Sequence, residues 1–522
     1  MWTQIVNLMP LNANGDMNPC WTCRNRRVQC DLSGSPCAKC IKAGVECFDK
    51  RPLRWVKGVA IRGNLQGYSY EGNPDKPKKK PRASKLVQAK QKIPENALVR
   101  SAEDTRCLPA ALQDPSILNL DRVSRYYINY YNEHICKLFI VYDSDRNPFR
   151  SLISFGLKDP VLQKAILALA ARHHANTGKS FNQIEAPTSP NHVNADRDAL
   201  LFKHQAMEAL SRIIGAGDTA KNDTTVASIF LLIFLDLLES GGDGWNFHLK
   251  GAKSLIKSYL PLLESQAGIN HGPGQTLQEI WGFISMQIRS IETLGATFLR
   301  PKLLSEFAPT SHETIQSQET VEQSFLGCPE YLLTAIRFFS NERDTIAGSE
   351  FTEQANLDTH VQDTTSMLEL VRNFDSYAWA LSVQRPTQTP VDVINDLCTL
   401  SEAFKTATLI YGGRVLDALT GDYTTQDELV SELLGLLHLL KTNDALFKCV
   451  LWAIFVAGLE CRTQAQRDFL IECLEIFWRD TSCLNVINAT KILRDYWEQL
   501  GSGTPSKWIF DIGCLGRDWL LL

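Results

Sequence analysis

Six cysteines concentrate the chemistry of this chain into 28 residues: Cys20, Cys23, Cys30, Cys37, Cys40 and Cys47. Their spacing is C-x2-C-x6-C written twice, the second triplet repeating the first after a shift of 17 residues. Two cysteines three apart share one face of a helical turn and can grip one ion, and the third returns after a short helix to complete the set. Six thiolates cannot supply two tetrahedral zinc ions with four private ligands each, so two must bridge. Symmetry nominates the equivalent first members, Cys20 and Cys37. Two Zn2+ ions are therefore the expected cofactor. No histidine stands in the segment, and a four-ligand ribbon or finger would leave two cysteines unexplained. A disulfide framework is disfavoured, because a 522-residue chain that opens without a secretory pattern is expected to fold in a reducing compartment. The other nine cysteines, from Cys107 to Cys514, are scattered singly and read as ordinary buried thiols.

Between the second and third cysteines runs Arg24-Asn25-Arg26-Arg27. Arginine suits bidentate contact with the O6 and N7 edge of guanine, and flanking cations pair with phosphate. Arg24, Arg26 and Arg27 are thus candidate DNA contacts, with Lys39 and Lys42 of the second half as phosphate contacts. The bland alternative is that the arginines only offset the net negative charge of two zinc ions held by six thiolates. Pro36 reads as fixing the turn between the halves.

This segment resembles the fungal binuclear zinc cluster regulators, whose pattern is six cysteines in two such triplets, and the likeness runs from Cys20 to Cys47 without a gap. The resemblance implies that the first short helix enters the major groove, with basic residues at the positions of Arg26 and Arg27 meeting bases or phosphates, typically at a CGG-type triplet. That family often has lysine just before the third cysteine. Gln29 stands there in this chain and joins the candidate DNA-facing set.

Charge is divided along the chain. Residues 1–100 hold 19 Lys/Arg and 7 Asp/Glu, a net of +12, whereas the formal net of the whole is −4, leaving −16 for the rest. A polyanion-binding head on an acidic body is implied. We assign residues 18–50 to the cluster domain, 51–116 to a basic linker and 117–522 to an α-helical regulatory domain. The linker has four glycines and four prolines between positions 52 and 81 and no sustained apolar period. Within it, Lys76 to Arg82 is a compact basic run of the nuclear-import kind, which points to the nucleus. Leu86 and Ile93 are seven apart, but Pro94 cuts the pattern after one heptad, short of a coiled coil.

The rest of the chain reads as helical, so the fold expected is mostly α: a small two-zinc head and a large all-α body. Asp159-Pro160 predicts an N-cap leading into Leu162, Ile166 and Leu169, and Thr425 with Glu428 predicts a capping box. A helix from about Asp223, apolar almost all round from Val226 to Leu238 and stopped at Gly241-Gly242, is expected to be central, with any effector cavity beside it. The polar stretches 178–196, 304–325 and 349–364 are expected loops. Apolar runs fall short of the ~20 residues that span a bilayer, so no membrane is expected as partner.

The body resembles the helical domain that accompanies many fungal zinc cluster regulators, the second of two common types. Asn147-Pro-Phe-Arg150, Ala165 to Ala171 with His173, Trp245 to Ala252, and Leu451-Trp452, Ala457-Gly458 and Arg467 carry the likeness. It implies regulation, sometimes through a small-molecule effector, and no catalysis. A homodimer, such an effector and the transcription machinery join double-stranded DNA as candidate partners. The rival is that the body is an enzyme or scaffold and the cluster a tether, with His173, His174, His248, Asp236 and Glu239 as acid, base or metal groups. No phosphate loop, nucleophile elbow or dinucleotide fingerprint supports it.

Overall fold

The computed structural model describes residues 19–31, 36–48, 117, 120–182, 189–215, 223–242, 244–266, 275–299, 324–348, 354–383, 391–499, 507–512 and 518–522. The expected linker 51–116, with its basic run, and the stretches 183–188, 304–323 and 349–353 of the expected loops lie outside them. The chain divides into two units, Met1–Ser101 and Ala102–Leu522. Among the described residues every regular element is helical, and no helix is long and apolar enough to cross a membrane.

The head holds two one-turn helices, α1 (Trp21–Asn25) and α2 (Ala38–Lys42). In the body, α3 (Arg122–Tyr130) is capped by Asp121 and runs on into a π-helical turn, Tyr131–Ile135. Asn147 caps α4 (Pro148–Gly156), and Asp159 caps α5 (Pro160–Asn176) by accepting the N–H groups of Val161 and Leu162, as its Asp-Pro start predicts. Next come α6 (Pro190–Gly215) and α7 (Asp223–Glu239), both packed on α5, then α8 (Gly244–Gln266) against α7, and α9 (Gln275–Ala296).

Helix α7 is the axis of this half, buried on every side from Val226 to Leu238. Phe230 and Phe234 meet each other at 4.9 Å between ring centroids, Phe234 meets Phe139 at 4.3 Å and Phe325 at 5.1 Å, and Phe149 meets Phe283 at 5.3 Å. Among the described residues these rings pack against one another around α7. A cavity of about 350 Å3 lies elsewhere, lined by Asp396, Thr399, Leu439, Leu440, Thr442, Asn443 and Asp444. The helix ends at Gly241, whose φ of +70° and close neighbours, Asn485 and the Leu520 carbonyl each 2.7 Å from where a Cβ would stand, admit glycine alone.

The second half is built on the 30-residue α13 (Val391–Thr420), against which pack α10 (Glu330–Gly348), α11 (Gln354–Arg372), α12 (Ser376–Ser382) and α14 (Asp427–Leu440). The short α15 (Asp444–Phe447) leads to α16 (Leu451–Glu460), all ten of whose residues are buried, between α13, α14, α17 (Gln464–Thr481) and α18 (Leu484–Gln499), and α19 (Trp508–Asp511) closes on α13.

Three expectations are corrected. Residues 190–196 are not loop but the first turns of α6, which buries a stripe of small residues, Ala195, Ala199 and Ala206, that carries little apolar signal. Residues 354–364 are helix α11, polar in sequence yet tied to α10 by His360 Nδ1 at 2.7 Å from Glu342 Oε2. The capping box at Thr425 and Glu428 does not form. Helix α14 starts from Gln426 with no side-chain cap, because Asp417 accepts the backbone N–H and hydroxyl of Thr424 and Arg414 donates to its carbonyl, which fixes the entering chain. A capping box forms at Thr463 and Gln466 instead.

Two buried polar groups sit in this frame. Arg414 donates to both carboxylate oxygens of Glu460 at 2.6 Å and to Asp417 at 2.6 Å, and Trp508 Nε1 donates to Glu460 at 2.6 Å. Removing one partner of such a pair strands the other, at a cost of about 3–5 kcal/mol, whereas apolar replacement of both is far milder. Glu460→Gln is therefore expected to lower the body's stability by several kcal/mol in urea titrations, and Arg414→Met with Glu460→Leu by clearly less than the sum of the single changes.

On α7, Asp236 stands 3.7 Å from Lys203 and 3.6 Å from His248, while Glu239 pairs with Lys203 and lies 3.6 Å from Arg172. Burial pushes the Asp236 carboxyl up to about 7 against the pull of Lys203, and burial together with Lys203 pushes His248 down to about 4. The signs oppose. Between about pH 4 and 7 the folded chain holds a proton at Asp236 that the unfolded chain releases, so this term loses stability as pH rises; between about pH 4 and 6.5 the unfolded chain protonates His248 more readily, so that term gains. His248→Gln is expected to expose a fall in stability from pH 5 to 7 by thermal melts, and Asp236→Asn a rise over pH 5 to 6.5.

Candidate metal centre and nucleic-acid interface

The 17-residue repeat of the cysteines is a repeat of backbone structure. In the first half Arg24 N–H donates to the Cys20 carbonyl, Arg27 N–H to Arg24 and Val28 N–H to Cys23. In the second, Ile41 donates to Cys37, Gly44 to Ile41 and Val45 to Cys40, all six bonds lying between 3.0 and 3.1 Å. Each half is one helical turn ended by a residue in the left-handed region, Arg27 at φ +55° and Gly44 at φ +62°. Such a turn ends the helix and sends the chain back toward the third cysteine of its triplet.

Cross-links between the halves complete the frame. Trp21 N–H donates to the Phe48 carbonyl at 2.6 Å; the Thr22 hydroxyl donates to the Glu46 carbonyl at 2.9 Å and accepts the Phe48 N–H at 3.0 Å. Asp31 accepts the N–H groups of Ala38 at 3.1 Å and Lys39 at 3.4 Å, capping the start of α2. Thr22 and Asp31 were missed in the sequence, where nothing distinguishes a short polar residue that caps from one that faces water.

The sulfurs converge on a double site. Cys20, Cys23, Cys30 and Cys37 form one four-thiol group and Cys20, Cys37, Cys40 and Cys47 a second, with ligand atoms within 4.8 Å of one another in each. Cys20 and Cys37, the pair that symmetry nominates, are the two shared. Their sulfurs lie 3.8 Å apart, and Cys23 to Cys37 is 3.7 Å. A tetrahedron with ~2.3 Å zinc–sulfur bonds has edges of ~3.8 Å, so the spacing fits two zinc ions with two common ligands.

The electrostatics of the buried thiols are those that bound cations would offset. Cys20, Cys23, Cys37 and Cys40 are buried, with Cys30 and Cys47 packed against them. Burial, with the neighbouring Cys20 and Cys37 thiols, pushes Cys23 up to about 12, and burial likewise raises Cys40. Burial also opposes the Cys20 thiolate, but the Cys23 N–H donated to its sulfur at 3.3 Å brings it below the ordinary thiol value. Thiolates collected out of water need compensating positive charge, which zinc supplies when bound.

Arg24, Arg26, Arg27, Gln29, Lys39 and Lys42 are all exposed, and among the described residues none of the five cations makes an ion pair within the head. Arg24 lies on α1, and Arg26 and Arg27 in the turn that ends it; Lys39 and Lys42 occupy the equivalent α2. The candidate enzyme groups of the body are occupied in other ways. His173 is buried with Nδ1 2.9 Å from the Tyr130 hydroxyl, His174 packs against Tyr126 and Tyr130, Asp236 and Glu239 face Lys203 on α7, and a neutral His248 lies 3.6 Å from Asp236.

Comparison with known proteins agrees with this geometry. Residues 18–55 match the fungal Zn(2)-Cys(6) binuclear cluster domain and residues 125–522 the fungal specific transcription factor domain. The chain is 25% identical over 388 residues to the acriflavine sensitivity control protein acr-2 of Neurospora crassa, covering 70% of this chain and 60% of that relative's length. No solved structure matches. With two four-thiol groups sharing Cys20 and Cys37 in the head and the second match extending over most of the helical body, the chain belongs to the fungal specific transcription factor family and carries a Zn(2)-Cys(6) binuclear cluster domain.

Proposed function

We propose that this protein is a zinc-dependent regulator of RNA polymerase II genes that acts in the nucleus, reads CGG-type half-sites in double-stranded DNA through its head, and controls a metabolic or biosynthetic gene set. The observation that carries the reading is the double thiol site with the Arg24 to Arg27 run exposed along the end of the short helix it braces and the turn that follows. In this reading all six cysteines are zinc ligands, with Cys20 and Cys37 bridging. Arg26 and Arg27 contact bases or neighbouring phosphates, and Arg24, Gln29, Lys39 and Lys42 complete the DNA-facing set. The helical body regulates rather than catalyses, through the transcription machinery or a small-molecule effector. Its acidic balance gives no support for a second DNA-binding surface.

The metal is tested first. A head of about 30 residues cannot fold by apolar burial, and zinc contributes on the order of 10–16 kcal/mol in comparable small domains. The full chain is expected to carry two zinc ions by elemental analysis and to lose its shift of CGG-containing duplexes under chelation, with helical circular dichroism retained. One zinc per chain, or DNA binding indifferent to chelator, would overturn the reading.

Arg27 separates readout from folding. A non-glycine residue at φ +55° costs about 1–2 kcal/mol, and glycine in the equivalent place of the second half bears no such cost. Arg27→Gly is therefore expected to hold zinc as well as the parent while losing ~1–3 kcal/mol of specific DNA affinity, whereas Lys42→Ala weakens all duplexes alike. Equal, sequence-blind losses from both would reduce the run to an electrostatic patch.

A further inference from the structure

Three elements of the second half of the body enclose a cavity. The first turns of α13 bring Asp396 and Thr399 to it, the end of α14 brings Leu439 and Leu440, and the turn of Thr442 and Asn443 leads to Asp444 at the start of α15. Its volume of about 350 Å3 falls within the ~300–1,000 Å3 of small-molecule sites and is too large for a bare ion. Asn443 fixes its shape. The side-chain amide donates to Asp396 at 2.8 Å and accepts the Ala445 N–H at 3.1 Å, and the backbone N–H donates to the Leu440 carbonyl at 2.9 Å, so α13 is tied to the turn between α14 and α15.

The chemistry of the wall is one-sided. The Thr399 hydroxyl donates to the Asn395 carbonyl at 2.9 Å and the Thr442 hydroxyl to the Leu439 carbonyl at 3.2 Å, which leaves both oxygens as acceptors. Asp396 and Asp444 add two carboxylates. Among the described residues neither forms an ion pair: Lys441 is taken by Glu472 at 3.2 Å, and Arg479, which feels the Asp444 charge, bonds to Asp480 at 3.0 Å. The C-terminal end of the 14-residue α14 adds a partial negative charge. Among the described residues no lysine, arginine or histidine lines the cavity, while Leu439, 62% exposed, and buried Leu440 give it one apolar side.

We propose that this cavity binds a short linear polyamine, two or three ammonium groups joined by methylene chains. Ammonium groups are donors only and pair with the Asp396 and Asp444 carboxylates and the two threonine oxygens, while the methylenes lie along Leu439. A neutral polyol brings donors but no charge to answer the carboxylates, and an anion is repelled. A single lysine side chain of another protein would leave one carboxylate unanswered. The site lies wholly in the helical body, so the inference holds whether or not the head reads DNA.

Isothermal titration calorimetry of the full chain with spermidine, at physiological ionic strength and without DNA, tests it. One spermidine per chain is expected, with Asp396→Asn and Asp444→Asn each weakening binding about 10-fold or more, the loss of one charge-assisted hydrogen bond. Asp396→Asn keeps an acceptor for Asn443, and thermal melting of both variants is expected to be unchanged. Leu439→Lys, at an exposed position, places the chain's own ammonium in the cavity and is expected to weaken binding by a similar factor. Butylamine, with one ammonium, is expected to bind at least ~10-fold more weakly than spermidine. Absence of saturable binding, several spermidines per chain with affinities that the three substitutions leave unchanged, or displacement by magnesium at equal charge would overturn the proposal. A lysine-rich peptide that binds the same residues more tightly than spermidine would overturn it in favour of a protein partner.

Discussion

A charge taken out of water must meet its opposite, and that constraint shapes both units of this protein. In the head the need is extreme. Four thiols gather around those of Cys20 and Cys37 with too little apolar surface to hold them, and the sulfur spacing of 3.7–3.8 Å is that of ligands around shared zinc. The backbone serves the same end: two identical turns, each closed by a left-handed residue, deliver the sulfurs to one place and leave the side chains of α1 outside.

In the body the same requirement is met by protein groups. Arg414 is enclosed by Glu460 and Asp417, and Glu460 also accepts from Trp508, so α13, α16 and α19 are joined through one carboxylate. Lys203 and Arg172 do the same for the carboxylates of α7. These groups look like catalytic candidates in a sequence because they are charged and lie amid apolar residues. Their geometry is largely that of internal neutralisation, with Glu460 and Asp417 facing Arg414 and Glu239 facing Lys203. His173, against Tyr130 and held well below the ordinary imidazole range by burial, is a neutral core residue by the same logic.

The residues that carry the family likeness are largely structural anchors of this kind. Asn147 caps α4 and donates to the Cys136 carbonyl at 2.7 Å, Trp245 Nε1 donates to the Asp518 carbonyl at 2.9 Å, and Trp452 Nε1 to the Thr297 hydroxyl at 3.0 Å. The two tryptophans join segments far apart in the chain, and each of the three supplies a buried donor that would otherwise be stranded.

The sequence by itself determined what local rules govern. The cysteine register implied two metals and named the shared pair, because ligand number and tetrahedral coordination leave little freedom. The Asp159-Pro160 start and the buried α7 followed from capping chemistry and from an apolar surface with no polar side. Tertiary structure alone decided the rest. Thr425 lost its capping role because Arg414 and Asp417 hold the neighbouring Thr424, a contact no local window contains. The polar stretches 190–196 and 354–364 became helix because their partners, α5 and α10, bury stripes too small or too polar to register as amphipathic.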